Sequence, residues 1–403
     1  MWRPALYVGL VSAAIFWISR GNIPLPYPAQ HHVFKDVDPA DLPANPRPLE
    51  GIFAPNEILR KGHRLFDGII QSSEHVAISP GGNMTLLDKF GYLYEAEPAA
   101  TVPGAVFPEE WTLDLPAAAY IGPGRPLGFH YDAEGNLIIA DALKGLLKLE
   151  KGTRRLELLT SRVSPDAPVN PGSIVTYVNA LDIASDGTIY FSASQDIPVG
   201  LSPDKPAFYD TLRSYLLGLY GGSISGRLLK YDPATRRTEE LVSGLWFANG
   251  VTLSADESFV AVAESSRLRV TRYWLKGPRA GTTEVLIDRL PGFPDGISLA
   301  SDGNIWVALV VPVKTLPKLL VFKPLRVLLA YLPHSLRPPV PRWGAVLKIS
   351  PDGKPLQVLM DPDGSKIADI SAITEYNGKL YFGNVKLDYV SYFDLRDAPP
   401  LEQ

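Results

Sequence analysis

The 403-residue chain has no cysteine, which removes disulfides, thiolate metal sites and cysteine nucleophiles together. It has no excess of basic charge either. Its 39 Lys and Arg stand against 43 Asp and Glu, a formal net charge of -4, so no global field draws it to nucleic acid. It contains no nucleophile elbow of the G-x-S-x-G type and no H-E-x-x-H zinc helix. Gly122-Pro-Gly124-Arg-Pro-Leu-Gly128 has the wrong spacing for a dinucleotide loop, and its prolines remove amide donors that a phosphate would need. The six histidines (His31, His32, His63, His75, His130, His334) form no ligand spacing; His75 and His130 read as packed or surface residues. Convincing amphipathic helices are few. What is present is apolar sequence enough for a large core, since 46% of residues are hydrophobic and only 20% charged.

The N-terminus carries an apolar run from Ala5 to Ile18, flanked by Arg3 and Arg20. It is short for a full span, and no small-x-small cleavage site closes it. The reading is an uncleaved signal anchor or transmembrane helix over residues 1–22, with a cleaved signal as the alternative. Arg3 favours a cytoplasmic N-terminus, which puts the remainder on the extracytoplasmic side of a single-pass membrane protein. Residues 23–50 hold seven prolines (24, 26, 28, 39, 43, 46, 48) and read as an extended tether.

From about Gly51 the chain consists of short β-type runs ended by Gly, Asp, Asn and Pro, such as Asn136 to Ala142, Thr188 to Ser194 and Phe259 to Ser265. One sentence recurs: a short segment, a turn of the form Asp-x-x-Gly or Asn-Gly, and a β run ending in small residues. Six copies start at Glu74, Leu127, Asn179, Asn249, Asp295 and Ser371. Their spacing is that of four-stranded propeller blades, stretched by insertions at 198–225 and 311–342. The fold class is therefore all-β, a six-bladed β-propeller over residues 51–403 with an N-terminal hydrophobic helix.

Several stretches resemble the strictosidine synthase-like family, which includes the adipocyte plasma membrane-associated proteins and lies within the gluconolactonase and paraoxonase superfamily. They are Gly124-Arg-Pro-Leu-Gly, Ile139-Ala-Asp-Ala-Leu-Lys-Gly-Leu, Gly226-Arg-Leu-Leu-Lys-Tyr-Asp, Phe247-Ala-Asn-Gly-Val, Arg272-Tyr-Trp-Leu-Lys-Gly-Pro-Arg-Ala-Gly, Pro291-Gly-Phe-Pro-Asp and Ile305-Trp-Val-Ala. The resemblance covers about residues 60–395.

The residue opening each innermost strand of a propeller projects into one channel mouth. In four of the six blades it carries an oxygen suited to a hard cation: Glu74, Asn179, Asn249 and Asp295. Two carboxylates and two amide carbonyls half-fill a calcium shell, with water or substrate completing it. The resemblance implies the same set, which is the metal site in the related gluconolactonases and paraoxonases. Taken singly, Asn-Gly and Asp-Gly are ordinary turn formers; in register around a ring they are not expected to be turns.

Two departures narrow the chemistry. Where strictosidine synthase presents a catalytic glutamate this chain has Ser371, which cannot do that proton transfer near neutral pH. Where paraoxonases open the second blade with histidine this chain has Leu127. The expectation is a calcium-dependent hydrolase acting on a small-molecule ester or lactone, with Asp295 or a metal-bound water as base or nucleophile. A non-enzymatic propeller that calcium pins shut is the alternative, and a carbon-nitrogen bond-forming enzyme is disfavoured by Ser371. The insertion 311–342 carries Lys314, Lys318, Lys323, Arg326, Arg337 and Arg342 among large apolar residues with no acid between Asp302 and Asp352. That fits a second contact with an anionic bilayer or a lid over the mouth.

Overall fold

The computed structural model describes residues 34–43, 45–99, 111–202, 205–313, 320–331 and 340–401, together with residue 12. Over these the β runs pair into six antiparallel sheets, five of four strands and one of five, which are the six blades. The innermost strands are Val76–Ile78, Pro126–Tyr131, Val178–Ile183, Ala248–Leu253, Gly292–Leu299 and Ile370–Tyr376. Between them and their neighbours lie the expected turns. In Ala184-Ser-Asp-Gly187, Gly187 adopts φ +86°, its N–H donates to Ala184 O at 2.9 Å, and Ala184 N–H donates to Thr188 O at 2.9 Å.

Second strands are covered on both faces by adjacent blades. Phe259–Glu264 is buried at every position, which is why it reads as a continuous Phe-Val-Ala-Val-Ala run without alternation. At the rim, Arg237–Leu245 largely alternates between buried and part-exposed residues because one face meets water. The core is a ring of clusters between blades: Ala261, Leu268, Ile305, Val307 and Leu347 join the fourth to the fifth. Trp306, Val346, Ile370, Phe382 and Phe393 join the fifth to the sixth.

The ring closes through its N-terminal part. His63–Leu65 pairs antiparallel with Val390–Asp394 as the outer strand of the last blade, with His63 opposite Tyr392 and Leu65 opposite Val390. This covers an edge that would otherwise offer unpaired N–H and C=O groups.

Each insertion contributes a helix. Helix α1, Thr211–Gly221, is capped by the Asp210 carboxylate, which accepts from Arg213 N–H, and ends at Gly222 in the left-handed region, φ +70°. Helix α2, Lys323–Tyr331, packs against α1. Leu217, Tyr220, Trp246, Leu320 and Ala330 form their shared cluster, joined by Phe34, Val37 and Leu42 of the proline-rich segment. That segment, in its described part, is a strap rather than a free linker. Lys35 N–H donates to Gly221 O at 2.8 Å, Asp41 pairs with Arg267 at 2.5 Å, and Arg47 N–H donates to Arg289 O at 2.7 Å.

Arg326 departs from the expected membrane-facing row. It is 1% exposed and donates from Nη1 to Tyr220 O (2.7 Å) and from Nη2 to Lys35 O (2.8 Å), tying α2, α1 and the strap together. Lys323 pairs with Asp36 at 3.2 Å. Lys314, Lys318 and Arg337 lie outside the described residues, as does the anchor segment 1–22 apart from residue 12. Among the described residues no helix is long and apolar enough to cross a membrane.

Candidate metal centre

All six strand-opening residues meet. A cavity of about 30 Å³ in the channel is lined by Glu74, Leu127, Asn179, Asn249, Asp295 and Ser371. The four expected oxygen-bearing residues thus share one small space, and each is less than 10% exposed.

Local backbone irregularity aims them inward. The ladders of five blades slip at this level, between Pro126/Phe129, Val178/Leu181, Ala248/Val251, Pro294/Ile297 and Ile370/Ala372. Such bulges re-aim side chains and interrupt the two-residue alternation. Two residues before the opening residue, four blades hold a non-glycine residue in the left-handed region: Ser72 (φ 57°), Tyr177 (54°), Phe247 (65°) and Asp369 (52°). Each costs about 1 kcal/mol or more and persists only where the surroundings enforce it. The Asn249-Gly250 and Asp295-Gly296 pairs are in strands, not turns. A Cβ on Gly250 would stand 2.5 Å from Asp295 O, and one on Gly296 2.5 Å from Ser371 O. Glycine is there because neighbouring inner strands touch.

Hydroxyls on the adjoining strand ends orient the amides. Asn179 Nδ2 donates to Ser194 Oγ at 3.0 Å, and Ser194 donates to Ala248 O at 2.7 Å. One blade further on, Asn249 Nδ2 donates to Ser265 Oγ at 3.2 Å, and Ser265 donates to Pro294 O at 2.6 Å. Each relay ends on the residue just before the next oxygen donor, so the blades position one another. With the nitrogen of Asn179 used this way, its carbonyl oxygen is the atom left for a cation.

Both carboxylates resist ionisation. Burial pushes Glu74 up to about 7 against the opposing pull of Arg125, whose Nη2 lies 3.7 Å from Glu74 Oε2. Burial, then repulsion from Glu74, holds Asp295 well above the usual carboxylate range, while a hydrogen bond with Asn249 acts the other way. A dication between them favours the charged forms of both. Among the described residues no group of three or more His, Asp or Glu side chains converges as a metal site. The donor set is two carboxylates and two amides, which fits a hard, oxygen-seeking ion and not a nitrogen-seeking one.

Sequence reasoning passed over three residues here. His75 is buried and His130 half-buried; both line the same cavity and stand 4.7 Å apart between ring centroids. Burial first, with His130 adding to it, lowers the pKa of His75 well below its usual value, so the ring is neutral. Arg125, fully buried, sits two residues before Leu127 in the Gly124-Arg-Pro-Leu-Gly motif, and that position was the available signal. Ser371 lines the cavity, yet its hydroxyl donates to Glu74 O at 2.7 Å, a structural bond and not an acid-base role. Helix α1 lies over this end of the channel. Its Tyr215 packs edge-on against Phe247 at 4.6 Å and Phe293 at 6.4 Å, and Tyr177 Oη donates to Thr211 O at 3.2 Å.

Comparison with known proteins agrees with this architecture. The chain is 15% identical to a gluconolactonase structure from Xanthomonas campestris, with a TM-score of 0.54, covering 89% of this chain and 98% of that one. It is 14% identical to the calcium-binding protein regucalcin from Agrobacterium tumefaciens, with a TM-score of 0.50 and coverage of 82% and 92%. Likenesses this distant establish the fold alone. The strictosidine synthase family profile matches residues 179–278. The bovine adipocyte plasma membrane-associated protein is 31% identical over 376 residues, 87% of this chain and 84% of that protein. Arabidopsis thaliana strictosidine synthase-like 3 is 36% identical over 282 residues, 68% of this chain and 67% of that protein. With that identity sustained over most of both chains, this propeller belongs to the strictosidine synthase-like family that includes the adipocyte plasma membrane-associated proteins.

Proposed function

We propose that the chain is a calcium-dependent hydrolase of esters or lactones, anchored to a membrane through residues 1–22. The observation that carries this reading is the meeting of Glu74, Asn179, Asn249 and Asp295 in one cavity of about 30 Å³. Two carboxyl groups whose pKa burial raises, that of Asp295 further through repulsion from Glu74, are a poor arrangement unless a cation joins them. A gluconolactonase and a calcium-binding protein among solved structures of this fold lend support. The plasma membrane association in the relatives' name supports the anchor.

When bound, calcium supplies a Lewis acid at the substrate carbonyl and its oxyanion. The protein supplies the rest. Asp295, whose charged form a bound cation favours, is the group placed to take the proton from an attacking water. Tyr177, Tyr215, Phe247 and Phe293 form the apolar wall that limits water at the entrance. Ser371, committed to the Glu74 carbonyl, offers no acid-base group for a carbon-nitrogen condensation.

The test is a panel of aryl esters and lactones on the full-length chain in detergent, assayed in chelator and again after adding calcium. Turnover that chelator abolishes and calcium restores is expected. Calcium binding without turnover of any substrate would make the protein a calcium-stabilised binding module.

A further inference from the structure

Beside the metal centre the channel mouth has a wall of a different character. Arg125 is fully buried, and among the described residues its Nε and Nη1 have no hydrogen-bond partner. Its one carboxylate contact among the described residues is Glu74 at 3.7 Å, longer than a good charge-assisted hydrogen bond. A guanidinium taken out of water with two of its three nitrogens idle costs several kcal/mol unless something pairs with it.

Arg125 is not the only cation there. The Phe208 ring, from the first insertion, has the Arg125 guanidinium 5.8 Å from its centroid, the Lys89 ammonium at 5.6 Å and the Lys205 ammonium at 5.5 Å. Phe90 packs edge-on against the same ring at 6.4 Å. Like charges gathered around one ring repel, and the pKa of Lys89 is lowered by burial and then by Arg125 and Lys205. The nearby carboxylate of Asp88 is already occupied, accepting from Phe90 N–H at 2.9 Å and Tyr92 N–H at 3.0 Å. The first and second blades and the 198–225 insertion all contribute, so the cluster exists only in the assembled ring.

We infer that Lys89, Arg125 and Lys205, arranged around Phe208, form a subsite for an anionic substituent, a carboxylate or phosphate, carried by the substrate of the neighbouring centre. The word substrate rests on the hydrolase reading; anion binding itself does not. Arg125 offers the paired N–H donors that such planar or tetrahedral anions accept, and the two lysines add charge without fixed geometry. Phe208 gives the attached apolar part a surface. Through Glu74 the subsite adjoins the metal centre, so a substituent held here sets which carbonyl of the molecule reaches Asp295.

The experiment uses the full-length, calcium-loaded protein and two readouts. Calorimetry compares benzoate and phenyl phosphate with the neutral benzamide. Hydrolysis compares phenyl acetate with 4-acetoxybenzoate and 4-acetoxyphenyl phosphate. At least one anion should bind about tenfold or more tightly than benzamide, less so at high salt, and which anion binds tighter identifies the natural substituent. Lys205→Gln and Lys89→Gln, both solvent-reaching and safe for folding, should each weaken anion binding several-fold, and Arg125→Lys should weaken it most. Benzamide binding as tightly as both anions, or anion affinity unchanged in the Lys89→Gln/Lys205→Gln double variant, overturns the subsite. Anion binding with no hydrolysis of any ester keeps the subsite and overturns the hydrolase; phenyl acetate hydrolysis with no anion preference does the reverse.

Discussion

Ser371 donates its hydroxyl to the carbonyl oxygen of Glu74 at 2.7 Å, across the seam where the last blade meets the first. It does for that seam what Ser194 and Ser265 do for theirs, holding the backbone beside an oxygen-bearing residue of the next blade. Ser371→Ala should therefore lower stability by about 1 kcal/mol, the worth of one buried hydrogen bond. Calcium affinity should fall with it, because Glu74 loses its fixed backbone. Denaturant titration and calcium calorimetry check both, and unchanged calcium affinity would show that the seam bond does not position Glu74.

Asp295→Asn keeps shape while removing one of two formal charges in the cavity. Calcium affinity and any hydrolysis should fall together while the ring still folds, as circular dichroism would verify. Asn249→Asp adds a charge and should strengthen calcium binding, yet lower turnover by making the ion a poorer Lewis acid. It also disturbs the relay to Ser265. Hydrolysis retained in Asp295→Asn at saturating calcium would remove Asp295 from the catalytic role.

Much of this was legible in the sequence because the fold repeats itself. Six copies of one turn and one β run announce six blades, and a fixed phase puts Glu74, Asn179, Asn249 and Asp295 at one mouth. What stayed hidden depends on contacts between distant residues. Ser194 and Ser265 lie just past the ends of second strands, 15 and 16 residues from the asparagines they orient. Arg125 is defined by burial and by a phenylalanine from an insertion, neither of which leaves a periodic trace. Residues 34–43 read as a tether because their packing runs through single side chains such as Phe34 and Val37, not an apolar stripe. Arg326 among apolar residues resembled a lipid-facing position; only the two carbonyls it meets distinguish a clamp from a surface charge.

That clamp is itself testable. Arg326→Met keeps much of the side-chain volume but leaves Tyr220 O and Lys35 O without this donor. The strap over residues 34–43 should then detach from the helices, seen as faster proteolysis there, while the propeller melts within a few degrees of wild type. Membrane partition should not change, since Arg326 is 1% exposed. A loss of binding to anionic vesicles in this variant would instead return Arg326 to a lipid-contacting role.

Glu74 gives the protein an unusual pH dependence. Its carboxyl is pushed from an ordinary 4.5 up to about 7, chiefly by burial, and Asp295 is raised as well. The metal-free folded state therefore holds protons that the unfolded chain has already released. The stability that Glu74 contributes is fully present below about 4.5 and is lost as pH rises through about 7. Calcium must displace those protons, so its apparent affinity should climb over the same range and level off above it. Melting curves of wild type and Glu74→Gln between about pH 5 and about pH 8 separate this group from the rest. In chelator the wild type should lose stability relative to Glu74→Gln as pH rises; in calcium it should be the more stable of the two at the alkaline end. Parallel curves in chelator would mean that Glu74 titrates normally, and the electrostatic case for a cation between it and Asp295 would go with it.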